Sequence, residues 1–329
     1  MDFQLSDDQR ALRSGMRDLL GAAFDRDGLR AAVERGGAVD RGLWRELGAA
    51  GFFALRLPEE AGGVGLGLPE AVLLFEEAGR ALLPGPLVAT HLAAGLVKGA
   101  AEGEAVVTAS EGGGLPVADL RGADAVLVAG GVLTGEELAA FVAGARPVRS
   151  MDPLTPLHRA EGVAAGGKGL VAAAEAYPGA LRGEGALLTA AEQLGSAART
   201  TEMAVQHARA REQFGSLIGS FQAVKHLCAD MLARTEPARG AVYAAAVTGD
   251  PVEIAAAKLL ADDAAVRNAR DCLQIHGGMG FTWEADVHLH LKRAWLRAAR
   301  WLSAAEAEEI LAAGLGPVRP LYGGSAALG

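Results

Sequence analysis

Two short blocks hold the side chains best suited to chemistry: R-E-Q-F-G-S-L-I-G-S-F-Q, Arg211 to Gln222, and Q-I-H-G-G-M-G-F, Gln274 to Phe281. Arg211 offers a planar, permanently charged fork that matches phosphate oxygens. Phe214 can lie against a ribose or a ring. Gly277 and Gly278 let a backbone approach a ligand with no side chain in the way. Each residue alone has a plainer reading, because an arginine on a helix is usually a solvated charge and a glycine pair usually a turn. The seven histidines add little. His288 and His290 are two apart in a helical pattern, so they face different sides and do not share a metal. His276 lies inside the glycine block, where the backbone counts for more than the ring.

The composition limits what these blocks can serve. A chain of 329 residues suggests about two domains with ample core. Half the residues are apolar but only 5% are aromatic, and Ala, Gly and Leu dominate, as in tightly packed helices. The net charge of −9 argues against a nucleic-acid partner, which would attract basic patches. Cys228 and Cys272 both fall in helical pattern and read as buried structural thiols of a reduced compartment. The acidic start, M-D-F-Q-L-S-D-D-Q-R, lacks the apolar core of a secretory signal. No apolar run reaches the roughly 20 residues needed to span a bilayer. A cytoplasmic location is expected.

The elements that must position the blocks are mainly helical. Ser6 with Gln9 is a capping-box signature, followed by Leu12, Met16, Leu19 and Leu20 at helical spacing. A second helix is expected from about Asp40 to near Gly51, and a third over Pro69 to Arg80, broken by the P-G-P of residues 84–86. The glycine-rich stretch Leu57 to Gly67 reads as a loop, without Rossmann spacing or a preceding strand. From about Glu104, β-like runs appear at Ala105–Ala109 and Ala125–Ala129, with further pieces near Val148 and Val171. They predict a small, mostly antiparallel β domain. Four helices are expected after that, at about 186–212, 219–247, 251–275 and 284–313, ending at Gly314, Gly316 and Pro317. A loose tail follows over Leu321 to Gly329. The expected division is residues 1–103 helical, 104–183 β, and 184–329 a C-terminal four-helix bundle carrying the two blocks.

In this order and separation the blocks resemble the C-terminal half of the acyl-CoA dehydrogenases, whose three-part order of helical, β and helical domains is also similar. The resemblance is strongest over about residues 184–294 and weak in the middle, and P-E-E-x-G-G at residues 58–63 is shared as well. It implies FAD bound across a dimer interface. Arg211 resembles the family's arginine at the pyrophosphate, and Phe214 and Gln222 resemble residues at the adenosine side. Gln274, Gly277 and Gly278 resemble positions around the same cofactor on the partner chain. An acyl-CoA substrate and an electron-transfer acceptor protein are implied with them.

Acyl-CoA dehydrogenation needs a carboxylate to remove an α-proton, hydrogen bonds to the thioester oxygen as charge develops, and a flavin to accept the β-hydride. Family members commonly take the base from Y-E-G about twenty residues after G-G-x-G-F. A gapless count from Phe281 places R-W-L-S there, with Trp301 in the glutamate's place. Other members carry the glutamate at the start of the helix leading to R-E-x-F-G, which a gapless count puts at Gly185, beside Glu184. Glu184 is therefore the candidate base, against its plainer reading as a first-turn acid favoured by the helix dipole. Glu192 reads as a buried, hydrogen-bonded or salt-bridged group. The family's T-E-x-x-x-G-S-D-like segment has only a faint remnant in A-S-E-G-G-G-L near Ser110.

Three readings follow. The chain is an FAD-dependent acyl-CoA dehydrogenase subunit that desaturates a thioester, as a homo-oligomer or in a heterotetramer with a second dehydrogenase-like chain. It is a non-catalytic partner completing another chain's flavin site, as in bacterial heteromers acting on steroid side-chain thioesters. Or it is a flavin monooxygenase or oxidase on the same fold.

Overall fold

The computed structural model describes residues 4–111, 114–129, 131–160 and 178–315. The β-prone piece near Val171, the stop signals at Gly316 and Pro317 and the tail from Leu321 lie outside them.

The N-terminal region is helical: α1 (Asp7–Ala23), α2 (Arg26–Glu34), α3 (Arg41–Ala49), α4 (Leu68–Arg80) and α5 (Leu87–Leu92). The capping box at Ser6 is formed, with Gln9 N donating to Ser6 Oγ at 3.1 Å and Ser6 N to Gln9 Oε1 at 3.0 Å. The sequence reading passed over α2 and α5. Asp25 caps α2 by accepting from Gly28 N, an N-cap signal hidden among neighbouring charges. Six residues after the P-G-P break suffice for α5 because every one of them is buried.

The strand region comprises β1 (Val107–Ala109), β2 (Val117–Ala118), β3 (Ala125–Val128), β4 (Gly131–Leu133), the helix α6 (Gly135–Ala143), β5 (Ala145–Val148) and β6 (Leu157–Ala160). Pairings β3–β4, β2–β6 and β5–β6 are antiparallel, while β1 runs parallel to β3. The strands are short, and the buried face of β1 continues the core of the helices.

Three long helices dominate the rest: α7 (Pro178–Ala210), α8 (Gln222–Thr248) and α9 (Pro251–His276), with the small hairpin β7 (Glu212–Gln213) and β8 (Ser216–Leu217) between the first two. Asp250 caps α9, whose first residue is Pro251, as its sequence suggests. Where a fourth helix over about 284–313 was expected, two occur, α10 (Val287–Ala298) and α11 (Ala304–Gly314). The chain breaks at Trp301, whose φ of +62° is left-handed, and Ser303 with Glu306 forms a capping box that starts the new helix. Helices α4 and α7 cross so closely that a Cβ at Gly195 would collide with the Glu76 carbonyl. One apolar core joins the N-terminal helices, β1 and β3 to α7, α8 and α9.

Candidate functional site

The first block begins where α7 ends. Arg211 N donates to the His207 carbonyl at 2.9 Å, and Ile218 N returns to the Arg211 carbonyl at 2.8 Å, closing the β7–β8 hairpin. Phe214 and Gly215 take left-handed φ at its tip. Phe214 is 93% exposed and meets Phe221 edge-on at 6.3 Å. Gln222 opens α8 and is also exposed. The second block closes α9. Gln274 is exposed, Gly277 turns the chain with φ +60°, and nothing lies within 4 Å of where a Cβ on Gly277 or Gly278 would stand.

His207, four residues before Arg211, stacks on His276, which immediately precedes Gly277, with centroids 4.1 Å apart. The two blocks, expected on different chains around the cofactor, thus meet within one chain at one end of the bundle, on an open face that also exposes Met279 and Phe281. Arg211 has no carboxylate partner among the described residues. An uncompensated guanidinium beside bare glycine backbone is the donor set a pyrophosphate requires, so these residues fit the phosphate end of a dinucleotide.

Glu184 lies elsewhere. Helix α7 begins at Pro178, so Glu184 stands in its second turn and not at the helix start assumed from the sequence. From Glu184 to Ala210 is roughly 26 residues, about 40 Å along the helix at about 1.5 Å per residue. That distance exceeds an extended dinucleotide, so Glu184 and Arg211 of the same chain do not serve one cofactor. Glu184 is ion-paired with Arg56, and His91 Nε2 lies 3.9 Å from it. The three border a cleft of about 420 Å³ walled by Phe53, Leu92 and Leu96. His91 is held neutral, its pKa lowered by burial.

The two places that the family resemblance implies for the base, Gly185 and Trp301, are neighbours. A Cβ at Gly185 would run into the indole of Trp301, so the ring rests directly on that glycine. Trp301 N donates to Glu111, which is ion-paired with Arg300. Glu111 comes from the A-S-E segment, so the stretch that only faintly resembles the family's flavin-contacting segment is tied to the tryptophan. An apolar pocket of about 130 Å³, bordered by Leu127, Leu181 and Trp301, adjoins this contact.

Below it, α10 presents buried arginines that the sequence reading missed. Arg293 pairs with Asp152, and Arg297 Nη2 donates to Glu192 Oε1 at 2.6 Å. Glu192 is buried and salt-bridged, as expected from its apolar neighbours, and burial raises its pKa against the pull of Arg297. Asp119, on a left-handed turn after β2, is buried with its pKa pushed up to about 7 by desolvation, against the pull of Arg293 and Arg300. The spacing of Arg293 and Arg297, one helical turn apart between apolar residues, with Arg300 just past the helix end, was a readable signal. Nothing around Asp119 was.

The other ionisable candidates are structural. His288 and His290 are neutral, pushed down to about 4 and about 3 mainly by burial, and His290 Nδ1 is 2.8 Å from Ser196 Oγ. Cys272 is buried and free. Cys228, also free, is only half-buried, where burial of both had been expected.

A helical N-terminal region, a small β region and long C-terminal helices, with paired motifs at the bundle's end, define a flavin-dependent acyl-thioester dehydrogenase fold. Family models match accordingly: the acyl-CoA dehydrogenase N-terminal domain over residues 6–102 and the C-terminal domain over residues 182–307. The chain belongs to the acyl-CoA dehydrogenase family, whose cofactor is FAD. It is 34% identical over 307 residues to acyl-CoA dehydrogenase IpdE2 of Mycobacterium tuberculosis, covering 88% of this chain and 91% of that protein. It is 35% identical over 327 residues to acyl-CoA dehydrogenase FadE34 of the same organism, covering 88% of this chain but only 45% of FadE34. In fold it is similar to the ChsE4–ChsE5 complex from M. tuberculosis, with TM-score 0.78, 24% identity, and coverage of 97% of this chain and 100% of that one. No helix among the described residues is long and apolar enough to cross a membrane.

Proposed function

We propose that this chain is one subunit of an FAD-dependent acyl-CoA dehydrogenase that works with a second dehydrogenase-like chain, which supplies the catalytic carboxylate. The observation that carries this reading is the seating of Trp301 on Gly185. The two positions that the resemblance implies for the base lie there side by side, and neither is an acid. Arg211, Phe214 and Gln222, with Gln274, Gly277 and Gly278, would hold the pyrophosphate and adenosine end of FAD. Bound flavin supplies the hydride acceptor. The chemistry is removal of the α-proton by a carboxylate and of the β-hydrogen as hydride, leaving an α,β-double bond; an electron-transfer protein would reoxidise the flavin. The ChsE4–ChsE5 complex, with its two differently named chains, gives a precedent for such pairing on this fold. FadE34, more than half of which lies outside the match, has room for a second such unit in one chain.

Expressed alone, the chain should be colourless. Co-expressed with a dehydrogenase-like chain encoded beside it, it should co-purify as a yellow complex that bleaches anaerobically with an acyl-CoA. A yellow single-chain protein that bleaches with substrate would overturn the proposal.

A second reading has its own observation, the 420 Å³ cleft that Glu184 borders. There Glu184 would be the base of an independently active enzyme, its ion pair with Arg56 opening on substrate binding. In that case Glu184→Gln should slow flavin reduction by several orders of magnitude while FAD stays bound. Reduction at the wild-type rate would remove Glu184 from consideration.

A further inference from the structure

The two motif blocks are joined by a ring pair to which the flavin reading gives no role. His207, in the last turn of α7, and His276, the last residue of α9, stack face to face, with centroids 4.1 Å apart and planes 19° from parallel. Their surroundings fix how hydrogens sit on them. His276 Nδ1 donates to the Cys272 carbonyl at 2.8 Å, which leaves Nε2 bare in the neutral ring. Arg211 N donates to the His207 carbonyl at 2.9 Å, so the Arg211 backbone is seated one turn beyond the His207 ring. Both rings are half-buried and so remain within reach of solvent protons.

The charge at this corner is one-sided. Arg211 is exposed and has no carboxylate partner among the described residues. His207 is held below the ordinary histidine value by burial first, then by His276 and by Arg211. The neighbouring thiols carry no charge to offset this. Cys272, on α9, is pushed up to about 12 by burial, and burial also raises Cys228, on α8. Two protons on the stack would set like charges only 4.1 Å apart, so the pair has room for one. His207 is a base kept empty in part by a cation that lacks a counter-charge.

We propose that His207, stacked on His276, is the proton-linked member of the diphosphate site and takes up one proton when a diphosphate diester binds at Arg211. Such a diester carries two negative charges. Seated on Arg211, it cancels the charge that opposes the proton and adds one that favours it. The proton comes from solvent to a ring nitrogen, and no covalent bond to the ligand forms. The coupling is reciprocal: whatever helps the proton on also holds the diphosphate more tightly. Free of ligand, His207 titrates below about 6.5; with ligand it titrates higher. Affinity therefore rises as pH falls through the interval between the two values, and is level above it. That the diphosphate is the one in FAD rests on the function proposed above.

The test uses ADP-ribose, whose diphosphate diester does not titrate between pH 5 and 8 and which contains no flavin. The full chain carries ¹³C at histidine Cε1, and NMR follows each ring through a pH titration, with His207→Phe identifying the His207 signal. Saturating ADP-ribose should raise the His207 midpoint by at least about half a pH unit. Its Kd should fall as pH is lowered from 8 to 5, by up to about threefold for each half unit of that rise. Arg211→Gln should raise the same midpoint with no ligand present. His207→Phe keeps an aromatic stack but takes no proton, so its Kd should not follow pH. A midpoint that neither ADP-ribose nor Arg211→Gln moves, or a pH dependence retained in His207→Phe, would overturn the proposal. If His207→Phe does not fold, wild-type calorimetry at pH 6 in buffers of differing ionisation heat decides, and zero proton uptake refutes it. Binding of ADP-ribose without proton uptake sinks the linkage and leaves the flavin reading standing. No saturable binding at any pH counts against both, and the colour of the co-expressed complex then judges the flavin reading separately.

Discussion

Gly185 is where a single atom decides most. Its missing Cβ is the seat of the Trp301 ring, and filling it forces the indole out of place. Gly185→Ala should destabilise the chain by about 1–3 kcal/mol, the usual cost of overpacking a core. In the background of Trp301→Ala that penalty should largely vanish, and a double-mutant cycle in urea measures the coupling. Arg211 makes the opposite prediction. It is exposed and without a carboxylate partner among the described residues, so Arg211→Ala should leave stability unchanged. In the assembled complex it should weaken FAD retention roughly ten- to a hundredfold, equivalent to about 1.5–3 kcal/mol for a charge-assisted contact. Unchanged flavin content would remove Arg211 from the site. Arg211 and Gly277 were legible because their motif travels with them in sequence. Asp119 was not, because its environment is made by α10 and the turn at Asp152, far away in the chain.

Helix α10 carries charge inward, and this makes it the acid-sensitive element. His290 is wholly buried and titrates only near 3 when folded, while an unfolded histidine takes its proton near 6.5. Below about pH 6.5 the unfolded chain therefore binds more protons than the folded one, and stability falls as pH falls, until about pH 3. The slope is up to about 1.4 kcal/mol per pH unit for one such group. His288 and His91, also lowered, act in the same direction. Urea midpoints at pH 7.5 and 5.5 measure the loss, and His290→Gln should flatten it by about one proton's worth. The elements themselves were mostly readable from periodicity and caps. The break between α10 and α11 was passed over because apolar spacing continues across it, though Ser303 and Glu306 mark the restart. The parallel pairing of β1 with β3 was unreadable, since a strand of three buried residues carries no alternation from which to infer direction.

Taken whole, the molecule is polarised along α7, with the motif blocks at one end and the Glu184 cleft at the other. The exposed aromatics gather at the motif end and beside it: Phe214 at 93%, Phe281 at 74% and Trp283 at 61%. Apolar surface on this scale favours association. Sedimentation should show the single chain self-associating at micromolar concentration and forming one discrete complex with its partner. A stable, flavin-loaded monomer would contradict that. The seating of Trp301 also has an optical consequence. Of the four tryptophans, Trp44 is fully enclosed and Trp283 and Trp295 face outward, while Trp301 borders two pockets. With the other three replaced by phenylalanine, the remaining emission would report occupancy of either chamber directly. A shift in its colour as ligand is added would turn the residue seated on Gly185 into a built-in gauge of what enters.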